Sequence, residues 1–222
     1  MHYRKAAFDS GLQAIGLKES APHKCDVLLI WNRYGRFEQL ADAAEARGAR
    51  VLIAENATWG NDFLGGKWLS LWSGFHNRAQ SIKVGGPERW DRLGMELMPW
   101  RTSGEIVGLP QRGIGPKGTP RNWIPPGCDR IRPHPGTRPC KPLEDDLARA
   151  GEVRTWGSGA AVKALLWGIP VRSWMPDWCA EQDNTDEGRL KMLRSLAWAQ
   201  WTLPEIIDGS PFRHLLFDHN SA

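Results

Sequence analysis

Two strand-length apolar runs on either side of one helix constrain the fold of this chain more than any other feature. DVLLIW (26–31) and ARVLIAE (49–55) are continuous apolar runs of the kind that form buried strands. Between them FEQLADAAEARG (37–48) has helical spacing and closes on Gly48. The order is β-α-β, which implies parallel strands joined by a right-handed crossover. WNRYG (31–35) is then a loop at the end of the first strand, and Glu55 ends the second.

The pattern returns in the second half. GEIVGLP (104–110), DRIRPHPG (129–136) and EVRTW (152–156) read as strands, PLEDDLARAG (142–151) as a short helix with acids in its first turns. WGSGAAVKALLWGIPV (156–171) reads as a glycine-serine loop, an apolar helix, a Gly-Ile-Pro break and another strand. RLKMLRSLAWAQW (189–201) places Leu190, Leu193, Ala197 and Trp201 on one helical face, and TLPEII is a short helix after it. Residues 56–100, rich in Trp and Gly, read as loops and short helices around a site. The expected fold class is α/β, with parallel sheets in two lobes and a central cleft. The lobes span 1–102 and 103–200, and residues 201–222 pack back on the first.

Composition excludes several classes. At 222 residues, 41% hydrophobic and 24% charged, the chain has the make-up of a globular protein rather than a disordered one. No run approaches the roughly 20 apolar residues of a membrane span, and the first residues have no apolar core suited to a signal peptide. No membrane contact and a cytoplasmic location are therefore expected; oligomeric state is not legible. Cys25, Cys128, Cys140 and Cys179 form no CxxC pair, so they read as free thiols. Net charge is +4, yet residues 101–141 alone carry +6, a local excess that suits an anionic ligand: a phosphate-bearing small molecule or a nucleic acid.

In open parallel sheets the ligand sits beyond the carboxyl ends of the strands. Ser158 and Gly159 stand at such a place, where backbone N–H groups and the positive end of a helix hold an anion; the competing reading is a plain turn in which Ser158 caps the helix. RPHPGTRP (132–139) puts Arg132, His134 and Arg138 at the end of what reads as the neighbouring strand.

RPHPG followed by TWGSGAAVKALLWGIPV resembles the nucleotide-sugar-binding lobe of GT-B glycosyltransferases, especially capsule-polysaccharide and sialyltransferase-like enzymes with a His-Pro motif and a Ser motif. LAWAQWTLPEIIDGSPFRHL resembles the end of glycosyltransferase-like proteins of phages and prophages. The resemblance covers residues 104–216, with 26–80 alike only in fold pattern. It implies two Rossmann-like lobes and transfer of a sugar from a nucleotide-sugar donor to an acceptor hydroxyl. His134, Ser158 and Gly159 would contact the donor phosphate or ribose. LPQRGIG (109–115) stands where such enzymes bring a glycine-rich loop, which adds Gln111, Arg112 and Gly113.

AENATWGND (54–62) has one acid where sialyltransferase-like members carry a pair. Glu55 is the expected general base, with Asp62 and His76 as substitutes. Asn32, Arg33 and Trp59 are expected on the acceptor side, and Trp68 and Trp72 are further candidates for stacking among 13 tryptophans. No DxD stands between apolar residues, so no required metal and no cofactor beyond the donor are expected. A hydroxymethylated base in phage DNA is the preferred acceptor. A saccharide acceptor, a nucleotide-sugar epimerase and a non-catalytic nucleic-acid-binding module are the alternatives.

Overall fold

The computed structural model describes residues 2–111, 120–137 and 139–217. In chain order its regular elements are α1 (His2–Ala14), β1 (Val27–Trp31), α2 (Arg36–Glu45), β2 (Arg50–Asn56), β3 (Trp68–Ser73), α3 (Glu88–Asp91), β4 (Glu105–Leu109), β5 (Arg130–Ile131), α4 (Leu143–Asp146), β6 (Ala150–Thr155), α5 (Gly159–Leu166), β7 (Val171–Ser173), α6 (Asp186–Leu196), β8 (Gln200–Thr202), α7 (Leu203–Ile207) and α8 (Ser210–Leu216), with short 3-10 turns among them. The fold class is α/β. The described residues divide into two compact units, 2–76, 81–85 and 197–217 in the first and 77–80 and 86–196 in the second.

Unit 1 holds a four-stranded sheet in the order β1-β2-β3-β8. β1 and β2 are parallel, with Leu28 opposite Val51 and Ile30 opposite Ile53, as the β-α-β pattern requires. The rest of the sheet is antiparallel, which corrects the expectation of a parallel sheet: β3 runs against β2, and β8 against β3. The cause is the connection after β2, which has only a short 3-10 turn where a parallel crossover needs a helix. β8 also corrects the helix read through residue 201. α6 stops at Leu196, and Gln200 and Trp201 are buried as strand residues beside β3.

One face of this sheet is covered by α1, α7 and α8. Leu52, Ala54, Leu69 and Leu71 meet Ala7, Phe8, Ile206, Phe212 and Leu215 in one apolar cluster, with Phe8 edge-on to Phe212 at 6.3 Å. α1 was not legible in the sequence, yet its buried residues Ala7, Phe8 and Gly11 have helical spacing. Gly11 permits the crossing with α7: a Cβ there would stand 1.9 Å from the Ile206 carbonyl oxygen. α7 begins with a capping box, in which the Thr202 side chain accepts from the Glu205 N–H and the Glu205 carboxylate accepts from the Thr202 N–H.

Unit 2 holds an all-parallel sheet in the order β5-β4-β6-β7. Leu109 stands opposite Thr155, Thr155 opposite Ser173 and Gly108 opposite Ile131. Val107, Val153, Ala161, Val162, Leu165 and Ile169 form the fully buried centre. Residues 86–102, placed in the first lobe by sequence, belong to this unit because their backbone bonds lie here. Arg101 N–H donates to the Gly168 carbonyl (2.7 Å), and the buried Arg189 guanidinium donates to the Met98 and Leu165 carbonyls (2.9 and 3.1 Å).

Candidate functional site

In unit 2 all four strands end on one edge, so the segments after Leu109, Ile131, Thr155 and Ser173 share that edge. The connection leaving β4 goes to β5 on one side, and the connection leaving β6 goes to β7 on the other. Their divergence makes a topological switch point between β4 and β6, where an open parallel sheet offers its ligand crevice. Gln111 follows β4 there, and Trp156, Gly157 and Ser158 follow β6. The histidine segment is one strand further away than the sequence suggests. β4 lies between β5 and β6, which places their ends about 10 Å apart at two strand spacings.

Ser158 is the N-cap of α5: its Oγ accepts from the Ala160 N–H at 3.2 Å, and its own N–H donates to Thr155 Oγ1 at 3.0 Å. The hydroxyl proton remains able to donate, and the Gly159 N–H donates to no group among the described residues. The amino end of α5 thus keeps donors for an anion while being capped. Gly157 has a packing role, since a Cβ would stand 2.5 Å from the Met175 Sδ.

His134 Nδ1 accepts from the Gly136 N–H at 2.9 Å, and the Thr137 N–H and hydroxyl both donate to the His134 carbonyl. The tight turn fixes the neutral ring as the Nε2–H tautomer, a hydrogen-bond donor. Arg132 is differently employed from the expected phosphate contact. It is 6% exposed, its Nε lies 2.8 Å from Asp146 Oδ2, and its Nη2 donates to the Lys141 carbonyl. The Gln111 N–H donates to the Trp123 carbonyl at 2.8 Å. Arg112, Gly113 and Arg138 lie outside the described residues.

Three of the eight basic side chains of residues 101–141 are engaged within unit 2. Arg101 donates to the carbonyls of Leu147, Ala148 and Ala150. Arg130 pairs with Glu105 and Asp146, and Arg132 with Asp146. These arginines hold α4 and the loop before β6 to the sheet instead of facing an anionic partner.

A group that sequence reasoning missed stands on the same edge. Trp123, Trp156 and Trp174 come from the connections after β4, β6 and β7 and meet, with ring centroids 5.6 Å apart for Trp123–Trp156 and 5.4 Å for Trp123–Trp174. All three are half-buried. The available signal was positional: Trp156 and Trp174 each follow the last residue of a strand.

In unit 1, Glu55 lies at the carboxyl end of β2, accepts from the Asn56 N–H at 2.9 Å, and is pushed above the usual carboxylate range by burial. Asp62 is exposed and His76 is buried just beyond β3. Asn32 adopts φ 63°, its N–H donates to the Ala54 carbonyl, and its buried Oδ1 has no hydrogen-bond partner among the described residues. Two of the expected acceptor-side residues are structural. Arg33 is 2% exposed and is held by Glu45, Asp42 and the Gly74 carbonyl. Trp59 is 1% exposed, stacked on Phe63 at 4.9 Å and edge-on to Trp68. Trp68 and Trp72 are core residues as well. The loop between is closed by Asn61, whose side chain accepts from the Ala57 N–H and donates to Asn56 Oδ1.

Among the described residues no group of three His, Cys, Asp or Glu side chains is arranged to hold a metal ion. No helix among them is long and apolar enough to cross a membrane. Comparison with protein-family models, with curated proteins and with solved structures finds no match for this chain.

Proposed function

We propose that this chain is a glycosyltransferase of the GT-B kind, which takes a nucleotide sugar at the carboxyl edge of the unit 2 sheet and passes the sugar to an acceptor hydroxyl. The observation that carries the reading is the amino end of α5 opening at the switch point between β4 and β6, with the Ser158 hydroxyl and the Gly159 N–H as donors. In this reading the bond between the anomeric carbon and the leaving phosphate oxygen breaks while the acceptor oxygen bonds to that carbon. The negative charge that gathers on the phosphate is met by the α5 donors and by the helix dipole. The acceptor proton goes to a carboxylate, for which Glu55 is the unit 1 candidate because burial makes it a stronger base than a solvated one.

The first test is thermal unfolding with a panel of nucleotide sugars. A donor at 100 times its dissociation constant stabilises the folded chain by about 2.7 kcal/mol. The stabilising donor is then incubated with an oligosaccharide panel and with DNA containing hydroxymethylated bases, and products are weighed by mass spectrometry. A sugar-sized mass gain on either class supports the reading and identifies the acceptor. Donor isomerised without acceptor makes the protein an epimerase, and no stabilisation by any nucleotide sugar sinks the proposal.

A further inference from the structure

We propose that Trp123, Trp156 and Trp174 are the seat of a nucleobase, a role that rests on the nucleotide-sugar reading of this edge only for the sugar-bearing half of the ligand. The three rings arrive from three different connections on the carboxyl edge, beside the switch point. Trp123 is anchored through its carbonyl to the Gln111 N–H. The Trp156 carbonyl accepts from both the Ser173 hydroxyl (2.7 Å) and the Met175 N–H (2.8 Å), which ties its loop to the Trp174 loop. The aromatic group is thus built on the ends of strands, where side chains are held in place.

Trp123 is inclined to its neighbours by 67° and 54°, so neither pair is a closed parallel stack. All three residues also keep part of their surface in solvent, unlike Trp72 and Trp178 at 0% and 1% exposure. At the rim, the exposed Arg172 guanidinium lies 4.8 Å from the Trp174 ring centroid and forms no ion pair among the described residues. A cation held by an aromatic face instead of a carboxylate keeps its charge for a ligand. A base on the rings, with its phosphate toward Arg172 and the amino end of α5, uses both features; a free sugar uses only the rings.

The experiment is calorimetric titration of the whole chain with uridine, cytidine, adenosine and guanosine, none of which carries phosphate, and with glucose for comparison. At least one nucleoside is expected to bind and glucose is not. Trp123→Ala and Trp174→Ala should each weaken that nucleoside by about 5- to 100-fold, the range for losing one stacking partner. Trp174→Phe keeps a ring and should retain most of the affinity, with Tm values showing that all variants fold. Absence of nucleoside binding, or wild-type affinity in both Ala variants, overturns the seat. The two readings fail separately. Nucleoside binding through the trio without sugar transfer from any nucleotide sugar leaves the seat and removes the glycosyltransferase, whereas transfer with unchanged donor KM in the Ala variants does the reverse.

Discussion

The Arg33 guanidinium grips the Glu45 carboxylate at two points, Nη1 to Oε1 and Nη2 to Oε2, each at 2.6 Å. Asp42 and the Gly74 carbonyl take further donors, and the Phe75 ring lies 4.2 Å beneath. Burial depresses the charged form of such a group, but the Glu45 hydrogen bond outweighs it and the guanidinium is held above its usual range. Arg33→Ala should destabilise the chain by about 2–4 kcal/mol in urea unfolding, toward the lower end because Asp42 and Glu45 are half-exposed and can rehydrate. The acceptor KM should stay unchanged; a tenfold rise would return Arg33 to the acceptor side.

Ser158 separates capping from anion binding. Asp is as good an N-cap as Ser, but it sets a negative charge where the phosphate is proposed. Ser158→Asp is therefore expected to keep stability within about 0.5 kcal/mol and to weaken the best nucleotide by roughly tenfold or more. Ser158→Ala should lose about 1 kcal/mol of stability. Undiminished nucleotide affinity in the Asp variant would place the phosphate elsewhere.

The Glu55 carboxyl titrates above its unfolded value because partial burial disfavours its charged form. Between the two values the folded chain binds more protons than the unfolded one, so this group makes stability fall as pH rises through that window. Glu55→Gln should accordingly have the higher Tm at pH 7, and the difference should shrink as pH drops below the unfolded carboxylate value, near 4. If Glu55 is also the general base, the same variant loses about 10²-fold or more in turnover with donor affinity unchanged. A variant less stable than wild type at pH 7 would contradict the burial argument.

Gly11 gives a test in which two effects oppose. Helix propensity alone makes Gly→Ala worth about 1 kcal/mol of stabilisation. The new methyl would overlap the Ile206 carbonyl at 1.9 Å, and forcing α1 from α7 costs about 1–3 kcal/mol. Net destabilisation is expected in thermal unfolding. A more stable variant would show that α1 moves freely over its neighbour.

β1 and β2 were legible because each carries a continuous apolar run, VLLIW and VLIA, while β4 and β6 had to be read from the shorter EIVGL and EVRT. β3 was not. Its WLSLWS sits among Trp and Gly and becomes a strand only through pairing with β2 and β8. α1 was hidden because a narrow stripe interrupted by Gly11 carries little periodic signal. At the candidate site, Ser158 and His134 could be found from their position just past a strand. The employment of Arg33 could not, since Gly74 lies 41 residues from it and only the fold brings them together. The same holds for Trp123, whose place beside Trp156 and Trp174 depends on the return of the chain to Gln111.

Unit 1 is closed by a segment that is synthesised after the whole of unit 2. β8, α7 and α8 supply one edge of its sheet and much of the lid over Leu52 and Leu69, so a nascent chain that has emerged only to residue 196 exposes β3 as a bare hydrogen-bonding edge beside an uncovered apolar face. Unit 2, by contrast, is almost uninterrupted in sequence. The ribosome therefore delivers a finished unit 2 before it delivers a finished unit 1. During that interval Phe8, Leu69 and Leu71 are the surfaces that a holding chaperone would shield, and slow translation of residues 197–217 would lengthen their exposure.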